Sequence, residues 1–322
     1  MFTTKVKIEP SVKKITYESR LITLGSCFSE HIGQRLNEAC FLVDANPFGV
    51  LFNPVSIKNS VVNLIENKHF TVEDLFLNGS LWSSFSHSTL FSSTDAASCL
   101  NRINSRIETA HAQLLNADYL LITFGTAWVY ELKQSGEVVS NCHKLPAEQF
   151  QRRRLTVEEI VSDYAELFNR LRAISPGIEI IFTVSPIRHW KDGAHENNIS
   201  KSILHLAVEA LTEMFDFVSY FPAYEIQLDE LRDYRFYDSD MFHPNDVAVD
   251  YIWKRFSETY FTDETNALIK RLANYYKQMQ HRPIHQESKE HAASLKKLDS
   301  ERNALLTQYP FLSDRLQKKS FA

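Results

Sequence analysis

Short apolar runs alternate with amphipathic segments between residues 21 and 221, and this alternation constrains the fold more than any other feature. The runs are nearly continuous in branched and aromatic residues, as in strands that are covered on both faces. They lie at residues 21–24, 41–43, 119–124, 178–184 and 217–221. Segments with helical spacing between them cover residues 26–39, 55–67, 100–115, 156–173 and 198–215. The pattern predicts a doubly wound parallel sheet in a three-layer α/β/α fold.

Two polar stretches interrupt this alternation, and a helical stretch follows it. Residues 68–96 and 133–154 are rich in aromatic and polar side chains, which predicts irregular excursions with short strands. We therefore predict an α/β domain over residues 1–262 and a helical extension over residues 263–322, with a helix break at Pro283. Packing against the core, or a solvated face, is the favoured role for this extension, ahead of partner binding.

The composition argues against several classes of protein. At 322 residues with a net charge of −5, the chain lacks the basic patch that marks nucleic-acid binding. No apolar window approaches the roughly 20 residues of a membrane span, and the first residues lack a signal-peptide core. The four cysteines form no CxxC pair, so neither a disulfide framework nor a zinc site is predicted. These features predict a cytoplasmic protein with no metal or other cofactor and a free thiol at Cys27; they do not predict an oligomeric state.

The sharpest local signal is the transition at Gly25, Ser26 and Cys27. A strand that turns directly into a helix holds a small nucleophile where free N–H groups and the helix dipole favour an oxyanion. Ser26 also fits a helix cap, a role that would leave Cys27 free for chemistry. A thiol in this position beside a histidine is expected to have a lowered pKa. Cys27 and Ser26 are both candidate nucleophiles, and the alternative for Cys27 is a small buried hydrophobe.

Asp240 and His243 form the second candidate element. Two residues separate them in a loop before a predicted helix, with Pro244 at its first position and His243 at its cap. This spacing lets the carboxylate reach one imidazole nitrogen while the other nitrogen faces a pocket. Together with the early strand–turn–helix, the pair predicts a nucleophile and its general base.

Several short blocks resemble the GSCFA family, a branch of the SGNH/GDSL hydrolase-like superfamily. The first block is Gly25-Ser26-Cys27-Phe28-Ser29, with Ser29 in place of the final alanine of the family's name motif. Further blocks follow in order at residues 46–49, 123–128, 185–189 and 240–244, so that the resemblance covers roughly residues 20–260. It implies a flavodoxin-like sheet, hydrolysis or transfer of an acyl group, His243 as the base and Asp240 as its orienting residue.

The resemblance also implies an oxyanion hole made by the nucleophile's own N–H, the Gly49 N–H and an asparagine of the third block. Cys27 stands where the parent superfamily has serine. Ala127 stands where the oxyanion asparagine would be, which leaves Thr126 or Asn46 as its replacement. Losing one oxyanion donor costs about 10²–10³ in turnover. Ala127 therefore favours the alternative function, a non-catalytic SGNH-like module that binds a ligand.

The remaining candidates are expected on the substrate side of the pocket, because they follow strand ends or lie in the second excursion. They are Asn46, Trp128, His143, Arg188 and His189. Of these, Arg188 and His189 suit an anionic group. The sequence thus predicts an acyl-ester hydrolase or acyltransferase that acts on a small acylated molecule. A scaffold that works through the C-terminal helices is the third alternative.

Overall fold

A computed structural model of the protein describes residues 3–279 and 289–317. Its strands are β1 (Arg20–Gly25), β2 (Leu42–Ala45), β3 (Phe76–Asn78), β4 (Leu81–Ser83), β5 (Tyr119–Phe124), β6 (Trp128–Leu132), β7 (Val138–Val139), β8 (Phe150–Arg154), β9 (Glu179–Val184) and β10 (Val218–Tyr220). Its helices are α1 (Cys27–Glu38), α2 (Pro54–Ile65), α3 (Ala96–Leu114), α4 (Val157–Ile174), α5 (Ala194–Met214), α6 (Ala223–Glu225), α7 (Asp246–Tyr260), α8 (Asp263–Met279), α9 (Lys289–Gln308) and α10 (Leu312–Gln317).

Five parallel strands form the central sheet, in the order β2-β1-β5-β9-β10. This is the flavodoxin-like order, and its switch point lies between β1 and β5. Gly25 at the end of β1 pairs with Thr123 near the end of β5, so the two strands end side by side. The predicted fold class and parallel sheet are confirmed.

Side chains of the sheet alternate between two cores, one on each face. Leu120 and Ile122 of β5 pack with α2, α3, α4 and α5, whereas Leu121 packs with α1 and α7. All six residues of β5 are buried. Burial on both faces explains why the sequence of this strand is continuously apolar rather than alternating.

The C-terminal helices belong to the core that contains α1 and α7. Leu268 of α8 and Leu305 of α9 are buried in it. Arg315 of α10 donates two hydrogen bonds of 3.0 Å to backbone carbonyls beside β1 and β2. The extension thus packs against the core. The domain boundary at residue 262 stays a prediction. The predicted helix break at Pro283 lies outside the described residues. Within the described ranges, no helix is long and apolar enough to cross a membrane.

The two polar stretches form small antiparallel sheets. β3 pairs with β4, and β6 pairs with both β7 and β8. The second excursion therefore begins at Trp128, not at residue 133 as the sequence suggests, because β6 pairs along its whole length with β8. The second sheet follows β5 directly, so it begins at the carboxyl edge of the central sheet.

Candidate active site

Loops that follow the central strands gather at the carboxyl edge of the sheet. The loop after β2 crosses this edge, where the Leu51 N–H donates to Gly25 O and the Gly125 N–H donates to Phe52 O, both at 2.8 Å. It thereby ties the end of β1 to the end of β5. In a doubly wound sheet, ligands bind at this topological switch point.

The turn between β1 and α1 requires glycine at residue 25. Gly25 has a φ of 143°, and a Cβ there would lie 2.2 Å from the carbonyl oxygen of Thr123. The Gly25 N–H donates to Asn46 Oδ1 (3.0 Å), and the Ser26 N–H donates to Thr123 O (3.3 Å). Helix α1 then begins at Cys27. The predicted transition from strand to turn to helix is confirmed.

Ser26 occupies the N-cap position of α1 without a side-chain cap. Its carbonyl accepts from the Ser29 N–H (2.8 Å), but its Oγ makes no capping hydrogen bond. The Oγ is out of contact with solvent and has no hydrogen-bond partner among the described residues. Ser26 is 2% exposed, whereas Cys27 is half-buried. Cys27 is therefore the more accessible of the two candidate nucleophiles.

The Cys27 thiol does not have the lowered pKa that its position at a helix N-terminus predicts. Burial raises the pKa of Cys27 above its ordinary value, and the Glu30 carboxylate raises it further. The Cys27 N–H opposes both effects without overcoming them. The expectation was wrong because burial disfavours the thiolate more than the helix N-terminus favours it. The resting thiol is protonated near neutral pH, so its attack on a substrate requires a base.

Asp240 and His243 form a hydrogen-bonded pair in the loop before α7. His243 Nδ1 lies 2.5 Å from Asp240 Oδ2, and Asp240 Oδ1 accepts from the N–H groups of Phe242 and His243, both at 2.9 Å. These backbone hydrogen bonds and the imidazole lower the pKa of Asp240 to about 2. An ionised carboxylate only accepts hydrogen bonds, so Nδ1 carries the proton and a neutral His243 keeps Nε2 as a free acceptor. A general base needs this tautomer.

The cap of α7 differs from the prediction. The helix begins at Asp246, and its N-cap is Asn245, whose side chain accepts a backbone N–H of the first turn at 3.1 Å. Pro244 instead forms a β-bridge with Tyr237. The predicted cap at His243 is wrong because this bridge holds the chain outside the helix for two more residues.

The loop that carries His243 lies between α1 and the loop after β9. It leads into α7, whose Asp250 pairs with Arg35 of α1 (2.6 Å), and its Phe242 stacks on Trp190. Burial lowers the pKa of His31, and the nearby His243 imidazole acts in the same direction. Because His31 lies one helical turn after Cys27, both residues are on one face of α1. Arg35 follows one further turn along α1, so the side of the helix that carries Cys27 and His31 is turned toward α7 and the loop before it. The sequence analysis missed His31, although its spacing from Cys27 was a usable signal.

Two predicted oxyanion donors are engaged within the protein. The Gly49 N–H donates to Asn46 O (2.7 Å), and the Thr126 N–H donates to Phe52 O (2.9 Å). The Thr126 hydroxyl lies 3.1 Å from Ser200 Oγ. The oxyanion roles of Gly49 and Thr126 stay predictions, and in this structure both residues use these donors to hold the loops together.

Asn46 lies directly beside the nucleophile turn. Its Oδ1 accepts the Gly25 N–H, while its Nδ2 is buried and has no hydrogen-bond partner among the described residues. Ala127, at the place of the expected asparagine, is fully buried, and its N–H donates to Ser200 Oγ (2.8 Å). Of the two replacements that the sequence offers, Asn46 is the one with a side-chain donor left over.

A buried lysine joins the loop that follows β5 to the loop that follows β9. Lys201 of α5 is 2% exposed, and its Nζ donates to Gly125 O and Ser185 O, both at 2.7 Å. Burial lowers the pKa of Lys201 to about 7, and Arg188 acts in the same direction. Sequence reasoning missed this residue. A usable signal was its helical spacing from Leu204 and its neighbours on the apolar face of α5.

His189 and Arg188 follow the end of β9 in one of these loops. The His189 N–H donates to Asn197 Oδ1 (2.9 Å), and its ring meets the Phe52 ring edge-on at 5.7 Å. Burial lowers the pKa of His189 to about 4, and Lys201 and His243 act in the same direction, so its imidazole is neutral near pH 7. Arg188 donates to Asn198 Oδ1 (3.1 Å).

The contacts of Trp128 and His143 are with the two excursions. His143 Nε2 lies 2.9 Å from Ser84 O, and its ring packs edge-on to Phe76 at 5.4 Å. The Arg152 guanidinium stacks 4.2 Å from the Trp128 ring. Their predicted substrate contacts are not tested by these interactions. Among the residues that the structure describes, no group of three or more His, Cys, Asp or Glu side chains could hold a metal ion.

The fold and the site together describe an α/β protein with a sharp strand–turn–helix at a sheet edge and a histidine–carboxylate pair in the loop before α7. The model of the GSCFA family matches residues 20–256, and the chain belongs to this family. A comparison with curated protein sequences finds no match.

Solved structures with a similar fold include three esterases. An acetyl xylan esterase from the rumen bacterium Butyrivibrio proteoclasticus has a TM-score of 0.38 and 10% identity, over 80% of this chain and 66% of that one. A family 3 carbohydrate esterase from Talaromyces cellulolyticus has a TM-score of 0.37 and 10% identity, over 80% and 99%. A family 3 carbohydrate esterase from Clostridium thermocellum has a TM-score of 0.34 and 11% identity, over 78% and 98%. Likenesses at this level carry no argument about what the chain acts on.

Proposed function

We propose that this chain is a hydrolase or acyltransferase that removes an acyl group from a small ester or thioester through a covalent intermediate on Cys27. One observation carries the proposal. A partly buried thiol begins α1, and this helix packs against α7 through Arg35 and Asp250 (2.6 Å), while the loop that leads into α7 carries an imidazole oriented by Asp240. This is the arrangement of a nucleophile and its general base.

The reaction follows from the protonation states of these groups. His243 Nε2 accepts the Cys27 proton as Sγ attacks the carbonyl carbon, because the raised pKa of Cys27 leaves little thiolate at rest. The tetrahedral intermediate collapses, and the leaving alcohol or thiol takes the proton back from His243. The acyl group then forms a thioester with Cys27. Water or a second acceptor attacks this thioester with His243 again as base, which releases the acyl product and restores the thiol.

Accessibility favours Cys27 over Ser26 as the nucleophile. A hydroxyl out of contact with solvent cannot reach a substrate carbonyl without a change in the turn, and the Ser26 Oγ is buried in this way. The position of Cys27 also corresponds to that of the nucleophilic serine in the superfamily that the sequence resembles. Ser26 remains the alternative nucleophile that the test below must exclude.

The oxyanion would be held by backbone and side-chain amides at the turn. The first N–H groups of a helix have no partner within the helix, so the Cys27 N–H is available to an oxyanion. We assign the role lost at Ala127 to the Nδ2 of Asn46, which has no partner among the described residues. This atom is as buried as the Ser26 Oγ, so the assignment requires the loop after β2 to move when substrate binds. Gly49 would contribute only if its N–H were released from Asn46 O.

A non-catalytic binding module is the second candidate function. The observation that favours it is Ala127, which is buried and holds no side-chain donor at the position of the oxyanion asparagine. Such a module would keep the pocket and bind an acylated ligand without turnover.

Initial rates with phenyl acetate and S-phenyl thioacetate test the proposal. Cys27→Ala should reduce kcat/KM by about 10³-fold or more, because it removes the nucleophile. Ser26→Ala should retain most of the activity, and Cys142→Ala is the matched control, since Cys142 is also a half-buried free thiol. Loss of activity in Ser26→Ala with retention in Cys27→Ala would make Ser26 the nucleophile. Binding of an acylated ligand by an intact protein with no turnover would support the binding module instead.

A further inference from the structure

An aromatic cleft opens beside the loop that carries Asp240 and His243. Its volume is about 760 Å³, within the range of small-molecule sites. The residues that form its walls and that matter below are Arg188, Trp190, Tyr234, Tyr237, Met241 and Phe242. Trp190 is 47% exposed and Tyr234 is 73% exposed, so large aromatic faces lie open to solvent here.

The cleft shares a wall with the proposed catalytic pair. The ring of Phe242 stacks on the ring of Trp190 with centroids 5.3 Å apart. Phe242 directly precedes His243, and Trp190 directly follows His189, so this stacked pair joins the two loops of the site. A molecule in the cleft would therefore contact Met241 and Phe242, which directly precede His243 in the same loop.

Arg188 gives the cleft a positive charge with no carboxylate partner in the described part of the chain. Its guanidinium donates to Asn198 Oδ1 (3.1 Å), lies 5.1 Å from the Trp190 ring, and has a buried Nε without a hydrogen-bond partner. The other arginine of the cleft wall, Arg232, is neutralised by Asp229 at 2.7 Å. The wall residue Asp233 is likewise paired, with Arg235 at 2.9 Å.

We propose that this cleft binds the leaving group of the acyl substrate, and that this group is a ring that carries a carboxylate or phosphate. The aromatic walls suit the flat face of a ring, and the planar guanidinium of Arg188 suits a two-oxygen anion. The role of the ligand as a leaving group rests on the proposed acyl transfer. Its binding to the cleft does not depend on that proposal.

Binding of unreactive ring compounds tests the cleft without any turnover. The probes are 4-hydroxybenzoate and phenyl phosphate, with 4-hydroxybenzamide as the neutral partner of the carboxylate, and binding is followed by calorimetry and by quenching of Trp190 fluorescence. Wild-type protein should bind each anion at least about 10-fold more tightly than the amide. Arg188→Gln should remove this preference, whereas Trp190→Ala should weaken all three ligands alike. Arg102→Gln is the matched control, because Arg102 likewise donates to an uncharged oxygen, Ser92 O (3.4 Å), and is not part of the cleft wall.

Competition keeps the test decisive if Arg188→Gln does not fold. Inorganic phosphate should then displace 4-hydroxybenzoate from the wild-type protein and leave 4-hydroxybenzamide bound. Equal affinity for the anions and the amide in wild-type protein, or a preference that survives in Arg188→Gln, would overturn the inference.

Turnover of 4-acetoxybenzoate and 4-acetoxybenzamide separates this inference from the proposed function. Both hold if the carboxylate substrate has the lower KM and Arg188→Gln raises that KM about 10-fold with little change in kcat. Anion-selective binding without hydrolysis would leave the cleft standing and contradict the acyl transfer. Hydrolysis of both esters with equal KM would support the acyl transfer and overturn the cleft.

Discussion

The nucleophile turn and the Asp240–His243 pair are built in different ways. The turn is held by long-range hydrogen bonds, in which the Gly25 N–H donates to the Asn46 side chain and the Ser26 N–H donates to the Thr123 carbonyl. The pair is made within four residues, and the side chains of His243 and Asp240 are 44% and 46% exposed. The geometry of the turn therefore depends on the whole sheet edge, whereas the geometry of the pair depends on one loop. Replacing Gly25 should therefore affect folding, whereas replacing Asp240 or His243 should affect the chemistry alone.

Replacing the base should give the largest effect and leave folding untouched. His243→Gln should lower kcat by about 10³-fold, because the protonated Cys27 thiol then has no proton acceptor. The melting temperature should stay within about 2 °C of wild type, since an exposed hydrogen-bonded pair contributes little to stability. Steady-state rates and thermal melts check both points, with His195→Gln as a control at an exposed histidine. A clear fall in the melting temperature of His243→Gln, together with the loss of activity, would show that the pair also supports the fold and would contradict this account.

Adding one methyl group at Gly25 should lower the stability of the fold, whereas replacing His243 should lower activity and leave stability unchanged. Gly25→Ala places Cβ against Thr123 O at a φ of 143°, which should cost about 3 kcal/mol or more of unfolding free energy. Gly136→Ala is the matched control, because its φ is 74° but no atom lies within 4 Å of the added Cβ, so only about 1 kcal/mol should be lost. Urea denaturation measures both values. Equal losses at the two glycines would show that the close packing at Gly25 is unimportant.

Removing the charge of the orienting carboxylate should give a smaller loss than removing the base. Asp240→Asn should lower kcat by about 10²-fold, because the imidazole keeps its place but loses the partner that stabilises its protonated form. Asp238→Asn, two residues earlier in the same loop, should leave kcat within a few-fold of wild type. A loss at Asp240 as small as that at Asp238 would mean that the carboxylate does not assist His243.

Lowering the pH should reduce the stability of the protein, because a buried histidine near the candidate site resists protonation in the folded state. His87 stacks on Phe48 in the loop that crosses the nucleophile turn, with centroids 4.7 Å apart, and burial lowers the pKa of His87 to about 3. The unfolded chain gains a proton on this residue below about pH 6.5 and the folded chain does not, so stability falls as the pH drops from 6.5 toward 3. The contribution of His87 should be about 1 kcal/mol per pH unit in this window. Melting temperatures of wild type and His87→Phe between pH 4.5 and 7.5 measure it, and an unchanged slope in the variant would contradict it.

The two regions also differ in how far the sequence predicts them. The apolar runs and the break at Gly25 predict the strand, the turn and the start of α1, because these features depend on local composition. The raised pKa of Cys27 was not predictable, since it depends on how deeply α1 is buried by distant segments. The buried Nδ2 of Asn46 and the lysine beneath the loops, Lys201, likewise result from contacts between residues far apart in the chain.

The Asp240–His243 pair was predicted from its spacing together with the early strand–turn–helix and the family resemblance, and the hydrogen bond between the two side chains is present. The cap of α7 was predicted wrongly at His243, because Pro244 fits a first helical position and only its bridge to Tyr237 excludes that role. The aromatic cleft escaped sequence reasoning for a similar reason, since Trp190 and Tyr234 come together only in the folded chain.

Trapping of the acyl-enzyme tests the central claim most directly. The protein is mixed with S-phenyl thioacetate, quenched in acid within the first turnover, and measured by intact mass and peptide mapping. Our account predicts one added acetyl group on Cys27, removable by neutral hydroxylamine, present in Ser26→Ala and absent in Cys27→Ala. Turnover of the thioester with no acetyl adduct at any time, or an adduct on Ser26, would contradict it.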